Sequence, residues 1–73
     1  MQGESRLEEV ATIQLRDLES RDEGLIIVRC GQDCVAMALS LRSNGDVEIF
    51  LTVDNAKLVV DALNTAIQAA TPN

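Results

Sequence analysis

Cys30-Gly31-Gln32-Asp33-Cys34 is the stretch with the most reactive side chains in this chain. Two thiols flank three residues, and a carboxylate lies between them. Three readings compete: a metal site, a redox disulfide, or a tight turn. Zinc takes four ligands, usually thiolate or imidazole. This stretch offers two thiols and Asp33, so a metal site would need a second copy of the loop. A disulfide requires Cys30 and Cys34 directly opposite each other, which a three-residue loop 31–33 provides. Closing so short a loop would stabilise the fold by roughly 2 kcal/mol in the chain-entropy picture.

A two-residue type II′ turn, Gly31-Gln32, instead pairs Cys30 with Asp33 and Arg29 with Cys34. The thiols then point to opposite faces and cannot bond. This turn also sets Ile26 and Val28 on one face with Val35 and Met37 and sends Arg29 outward, whereas the longer loop aims Arg29 into the core. The expectation is the II′ turn with free thiols; the Cys30–Cys34 redox pair is the alternative.

Other catalytic constellations are missing. The chain has no histidine, which removes the commonest general base and metal ligand. No Ser-His or Cys-His nucleophile pair can form. Gly3, Gly24, Gly31 and Gly45 match neither a P-loop nor a dinucleotide fingerprint. Asp54-Asn55-Ala56-Lys57 lacks the alternating ligands of a calcium loop. Asp46 and Glu48 share a strand face, but Arg42 beside them favours a solvated ion pair over acid–base work. The expectation is no enzyme, no cofactor and no metal.

The elements that carry these residues follow from periodicity. Ala11, Ile13 and Leu15 alternate with Thr12, Gln14 and Arg16, the period of a half-buried strand. A helix through Leu7, Val10, Ala11, Leu15 and Leu18 competes but leaves Ile13 off its face. Leu25–Cys30 is apolar and β-branched, a central strand by type. In 34–42, Val35, Met37, Leu39 and Leu41 oppose Cys34, Ala36, Ala38 and Ser40. In 46–53, Val47, Ile49, Leu51 and Val53 oppose Glu48, Phe50 and Thr52.

A three-residue loop, Ser43-Asn44-Gly45, unites both apolar sets on one face. It pairs Arg42 with Asp46, Leu41 with Val47 and Leu39 with Ile49, with Gly45 left-handed. A helix follows, with Asp54 expected to cap it and Pro72 to stop it. Ala56, Val59, Val60, Leu63, Ala66, Ile67 and Ala70 make a broad apolar band. Lys57, Asp61, Asn64 and Gln68 make one narrow polar stripe. The fold class is α+β: a small antiparallel β-meander of three to four strands with one C-terminal helix packed on one face, order β-β-β-β-α. Residues 1–9 read as a flexible acidic terminus, 10–71 as a single domain and 72–73 as a tail.

Composition narrows the function. A chain of 73 residues is one domain, and so small a core supplies no more than about 3–5 kcal/mol of net stability. Phe50 is the sole aromatic residue, so the core must be aliphatic. Net charge is −6, which argues against phosphate-backbone binding, and base stacking lacks its aromatic platform. The start, MQGESRLEEV, is acidic without an apolar run, so no export signal or membrane span is expected. Two cysteines then suggest reduced thiols in the cytoplasm.

The face away from the helix carries Ala36, Ala38 and Phe50. Such a patch is covered either by the N-terminal segment or by a partner. With Leu58, Ala62, Thr65 and Ala69 flanking the helix's polar stripe, the expected interface comprises these seven residues. The leading expectation is a non-enzymatic, homodimeric protein-binding module of regulatory type. A second is an acidic inhibitor, of the nucleic-acid-mimic kind used in phage counter-defence. It would use Glu4, Glu8, Glu9, Asp17, Glu19, Asp22, Glu23 and Glu48 to block a basic site on a larger protein. A third is a small-molecule binder with its site at the dimer seam.

Overall fold

The period-two segments form strands, and the 3.6-period segment forms a helix. A computed structural model describes residues 7–72. β1 (Glu8–Arg16), β2 (Glu23–Gly31), β3 (Cys34–Leu41) and β4 (Gly45–Thr52) form one antiparallel sheet in chain order. α1 (Val53–Ala70) follows. The architecture is therefore β-β-β-β-α, as the periodicity predicts.

β1 starts two residues before the domain boundary expected at residue 10. Glu8 pairs with Cys30 and Glu9 with Arg29, and a bulge at Val10 interrupts the ladder before Ala11 meets Val28. β2 is long enough to template both acids, and the bulge absorbs the extra residue. The rest of the expected flexible terminus, Glu4 included, lies outside the described residues.

The β2–β3 turn differs from the expected one. Gln32 and Asp33 form it, not Gly31 and Gln32: Gly31 pairs with Cys34, and Cys30 with Val35. Asp33 takes the left-handed conformation, φ 61°, which aspartate tolerates better than most residues. The displacement is two positions, so side-chain parity is kept. Cys30 and Cys34 are free thiols on opposite faces.

The β3–β4 register is also displaced by two. Leu41 pairs with Gly45 and Leu39 with Val47. Arg42, Ser43 and Asn44 make the turn, where the Asn44 amide donates to the Leu41 carbonyl at 3.1 Å. Gly45 is left-handed at φ 82°, as its sequence position predicts. The cause lies across the sheet. The Ser43 amide donates to Asp22 Oδ2 at 2.8 Å, the Ser43 hydroxyl donates to the same oxygen, and the Arg42 amide donates to the Glu23 carbonyl at 3.0 Å. These bonds tie the last turn to the first. Arg42 consequently reaches Glu23, at 3.5 Å, and not Asp46. Asp46 accepts from the Ser40 hydroxyl at 2.6 Å.

α1 is capped by Thr52, whose hydroxyl accepts from the Asn55 amide at 3.0 Å. Asp54 lies in the first turn instead of the cap, where its charge suits the positive helix end. At the other end the Thr71 amide and hydroxyl both donate to the Ile67 carbonyl. Thr71 is extended, as the residue before Pro72 must be.

The helix–sheet contact is narrower than expected. Among the described residues α1 touches only β3 and β4, and none of its residues is buried. Thr52 ends β4 and caps α1, so no loop lets the helix turn back over the sheet. The described residues measure 51 × 29 × 16 Å, with a radius of gyration of 14.5 Å; a compact chain of similar length has about 11 Å. No helix among the described residues is long and apolar enough to cross a membrane.

Candidate functional site

Register assigns the paired strand residues to two faces. Face A carries Ala11, Ile13 and Leu15 of β1, Ile26, Val28 and Cys30 of β2, Val35, Met37, Leu39 and Leu41 of β3, and Val47, Ile49 and Leu51 of β4. Face B carries Thr12, Gln14 and Arg16, then Leu25, Ile27 and Arg29, then Cys34, Ala36, Ala38 and Ser40, then Asp46, Glu48, Phe50 and Thr52.

Face B carries a polar cover over its central strand, although Phe50 stays 62% exposed at its edge. β3 presents its smallest residues there, and Ala36 lies between Arg29 of β2 and Phe50 of β4. Over those alanines Arg29 reaches across β3 to Glu48 of β4, at 2.9 Å. Both side chains are about one-third exposed, so the pair is partly screened. Ala36 becomes the one residue with an apolar side chain that is fully buried among the described residues, at 0% exposure. Thr12 donates to Glu9 and Ser40 to Asp46 on the same face.

Face A has no such cover. It is aliphatic across all four strands, and among the described residues the one element that packs against the sheet is α1, through its start alone. Val47 is 55% exposed, Ile13 48% and Ile49 47%. β-Branched residues pack well on a pleated surface, yet here one side of that surface is open. α1 adds a second open apolar surface: Leu63 is 54% exposed and Ile67 60%. Only Ala56 and Val59 of the helix are half-buried.

The residues predicted for an interface divide accordingly. Phe50 is exposed at 62%, and Leu58, Ala62, Thr65 and Ala69 are exposed on α1. Ala38 is half-buried. Ala36 has no surface left to offer a partner, which corrects its place in that set. Of the outer patch expected from Ala36, Ala38 and Phe50, the Arg29–Glu48 pair spans the two alanines and leaves Phe50 exposed. Sequence reading missed the open side: it assigned Val47 and Ile49 to the face under the helix. The signal was available in the absence of any Gly, Pro or polar linker between Val47–Thr52 and the helix.

The acidic residues do not converge. Glu8 and Glu9 begin β1 beside Cys30 and Arg29. Asp17, Glu19 and Asp22 occupy the opposite end of the strands, in the β1–β2 connection. Several serve the chain itself. Hydrogen bonds from the Ser20 amide and hydroxyl hold Asp17 below the usual carboxylate range. The Ser43 hydroxyl and amide do the same for Asp22. Glu23 and Glu48 face Arg42 and Arg29.

Among the described residues, no three His, Cys, Asp or Glu side chains gather as a metal-holding group. A shallow depression on the β1–β2–β3 surface is lined by Gln14, Arg16, Glu23, Leu25, Ser40 and Arg42, among others. Its cations already have partners: Arg42 faces Glu23, and Arg16 donates to the Arg21 carbonyl at 3.0 Å. Comparison with models of protein families, with curated proteins and with solved structures found no match to this chain.

Proposed function

We propose that this chain is a small, non-enzymatic protein–protein interaction module of regulatory type, acting as a homodimer through its sheet and C-terminal helix. The observation that carries the reading is face A. A four-stranded aliphatic surface with exposed Ile13, Leu39, Val47 and Ile49 is far from what a soluble monomer leaves to water. Area bookkeeping supports it. The chain exposes 5952 Å², whereas a compact monomer of 7.9 kDa exposes about 4,400 Å². The surplus has the sign expected of a chain with an uncovered apolar face, which a second copy would remove from water.

Free thiols on both faces fit a reducing compartment, and the cytoplasm is the location we propose. The acidic-inhibitor reading has less support, because its carboxylates divide between two ends of the sheet and several are paired. Size-exclusion chromatography with light scattering over a dilution series tests the proposal. A mass of twice the 7.9 kDa chain, persisting at micromolar concentration, is expected. A mass of one chain throughout would refute it.

A further inference from the structure

We infer that the dimer forms by reciprocal helix exchange: α1 of each copy lies across face A of the other. This rests on the homodimer reading and specifies its geometry. The two unpartnered surfaces of the chain are a sheet face and a helix band, and both are aliphatic. Within one copy they meet only at the start of α1, around Ala56 and Val59, because α1 leaves β4 at Thr52 with no connecting residue. Helices that fold back onto their own sheet use connections of about 2–6 residues.

Between two copies the same surfaces match in size. α1 has 18 residues, about 27 Å of helix. The strands of face A have eight or nine residues, about 26–31 Å. The polar stripe of Lys57, Asp61, Asn64 and Gln68 would remain in water. A two-fold axis makes the contact twice, so each helix and each face A is covered once. A sandwich of two A faces would leave both helix bands exposed. A helix-to-helix dimer would leave both sheets open. Exchange covers both surfaces with one kind of contact.

Mixing two variants tests this geometry. One carries Leu63→Asp with Ile67→Asp on the helix; the other carries Leu39→Asp with Ile49→Asp on face A. Exchange predicts that each variant alone is weakened in self-association by a factor on the order of a thousand or more, since unpaired carboxylates enter both contacts. Mixed together they should form a heterodimer, because one sound helix then meets one sound sheet face. If the helix variant still dimerises alone, the exchange is wrong and the homodimer proposal survives. If the sheet variant dimerises alone, the exchange is likewise wrong. If wild type is monomeric, both proposals fall.

The wild-type chain gives a second readout that does not depend on the variants folding. In a mixture of isotope-labelled and unlabelled protein, isotope-filtered NMR should show intermolecular contacts from Leu63 and Ile67 methyls to Leu39 and Ile49 methyls. Intermolecular contacts confined to sheet–sheet or helix–helix pairs would overturn the exchange.

Discussion

The two faces of this sheet come from the same four strands, yet one carries a polar cover over its central strand and the other does not. Face B has short side chains on β3, and longer ones from β2 and β4 close over them: Arg29 meets Glu48 at 2.9 Å above Ala36 and Ala38. Face A has long aliphatic side chains on every strand and no polar group among β2, β3 and β4 to shield them. An ion pair that is partly exposed contributes little energy. Its aliphatic stems nonetheless cover apolar surface. Apolar content alone therefore does not mark an interface. What matters is whether neighbouring side chains can reach over it.

Aspartate substitutions on adjacent residues of β4 should separate the faces most sharply. Ile49→Asp places an unpaired charge in the proposed interface, twice per dimer, and should convert the protein to monomer in light scattering. Phe50→Asp, one residue on and on face B, should leave the mass unchanged. Equal effects from the two would remove the distinction between the faces.

Next in size is Ala36→Leu. Ala36 is fully buried under Arg29, Glu48 and Phe50. Three added carbons must lift that cover, and overpacking of this kind costs about 1–3 kcal/mol. Denaturant unfolding would measure the loss. An unchanged midpoint would mean that face B is looser than its geometry indicates.

A double-mutant cycle on Arg29→Met and Glu48→Gln isolates the cover itself. With both groups about one-third exposed, the coupling should be about 0.2–1 kcal/mol and should shrink in high salt. A coupling of zero would leave the burial of Ala36 to packing alone.

Much of this was legible from residue order. The period-two alternation of 11–16, 34–41 and 46–52 gave the strands, and Gly45 gave the left-handed position. Parity survived both misread turns, because each register was displaced by two residues and not by one. The turns themselves were not legible. The last one is set by Ser43 binding Asp22, 21 residues away in sequence, and local turn propensities carry no such information. Thr52 won the cap over Asp54 because β4 runs without a break into α1. That same continuity left face A open. Of the interface set drawn from the sequence, Leu58, Ala62, Thr65 and Ala69 are exposed on α1 and Phe50 on face B, whereas Ala36 is buried and Ala38 half-buried.

The smallest effect expected is on acid stability. Hydrogen bonds from Ser43 depress the titration of Asp22 in the folded chain, and those from Ser20 depress Asp17. A depressed carboxylate stabilises the fold above its unfolded value, about 3.9 for aspartate. That contribution is lost as pH falls through the folded value. Stability should therefore decline below about pH 4, and Asp22→Asn should make the decline shallower. An identical pH profile for the variant would show that the Asp22–Ser43 clasp adds nothing to folding in solution.

Small-angle X-ray scattering on the wild-type protein tests the central claim most directly, because it reads mass and shape together. The described residues of a single chain have a radius of gyration of 14.5 Å. A compact body of two chains has about 15 Å, so size alone does not distinguish them and the forward scattering decides. Helix exchange predicts a mass of two chains with a radius of gyration near that of one. A mass of one chain would contradict the account, and so would a two-chain mass with a radius well above 20 Å, the mark of copies joined end to end.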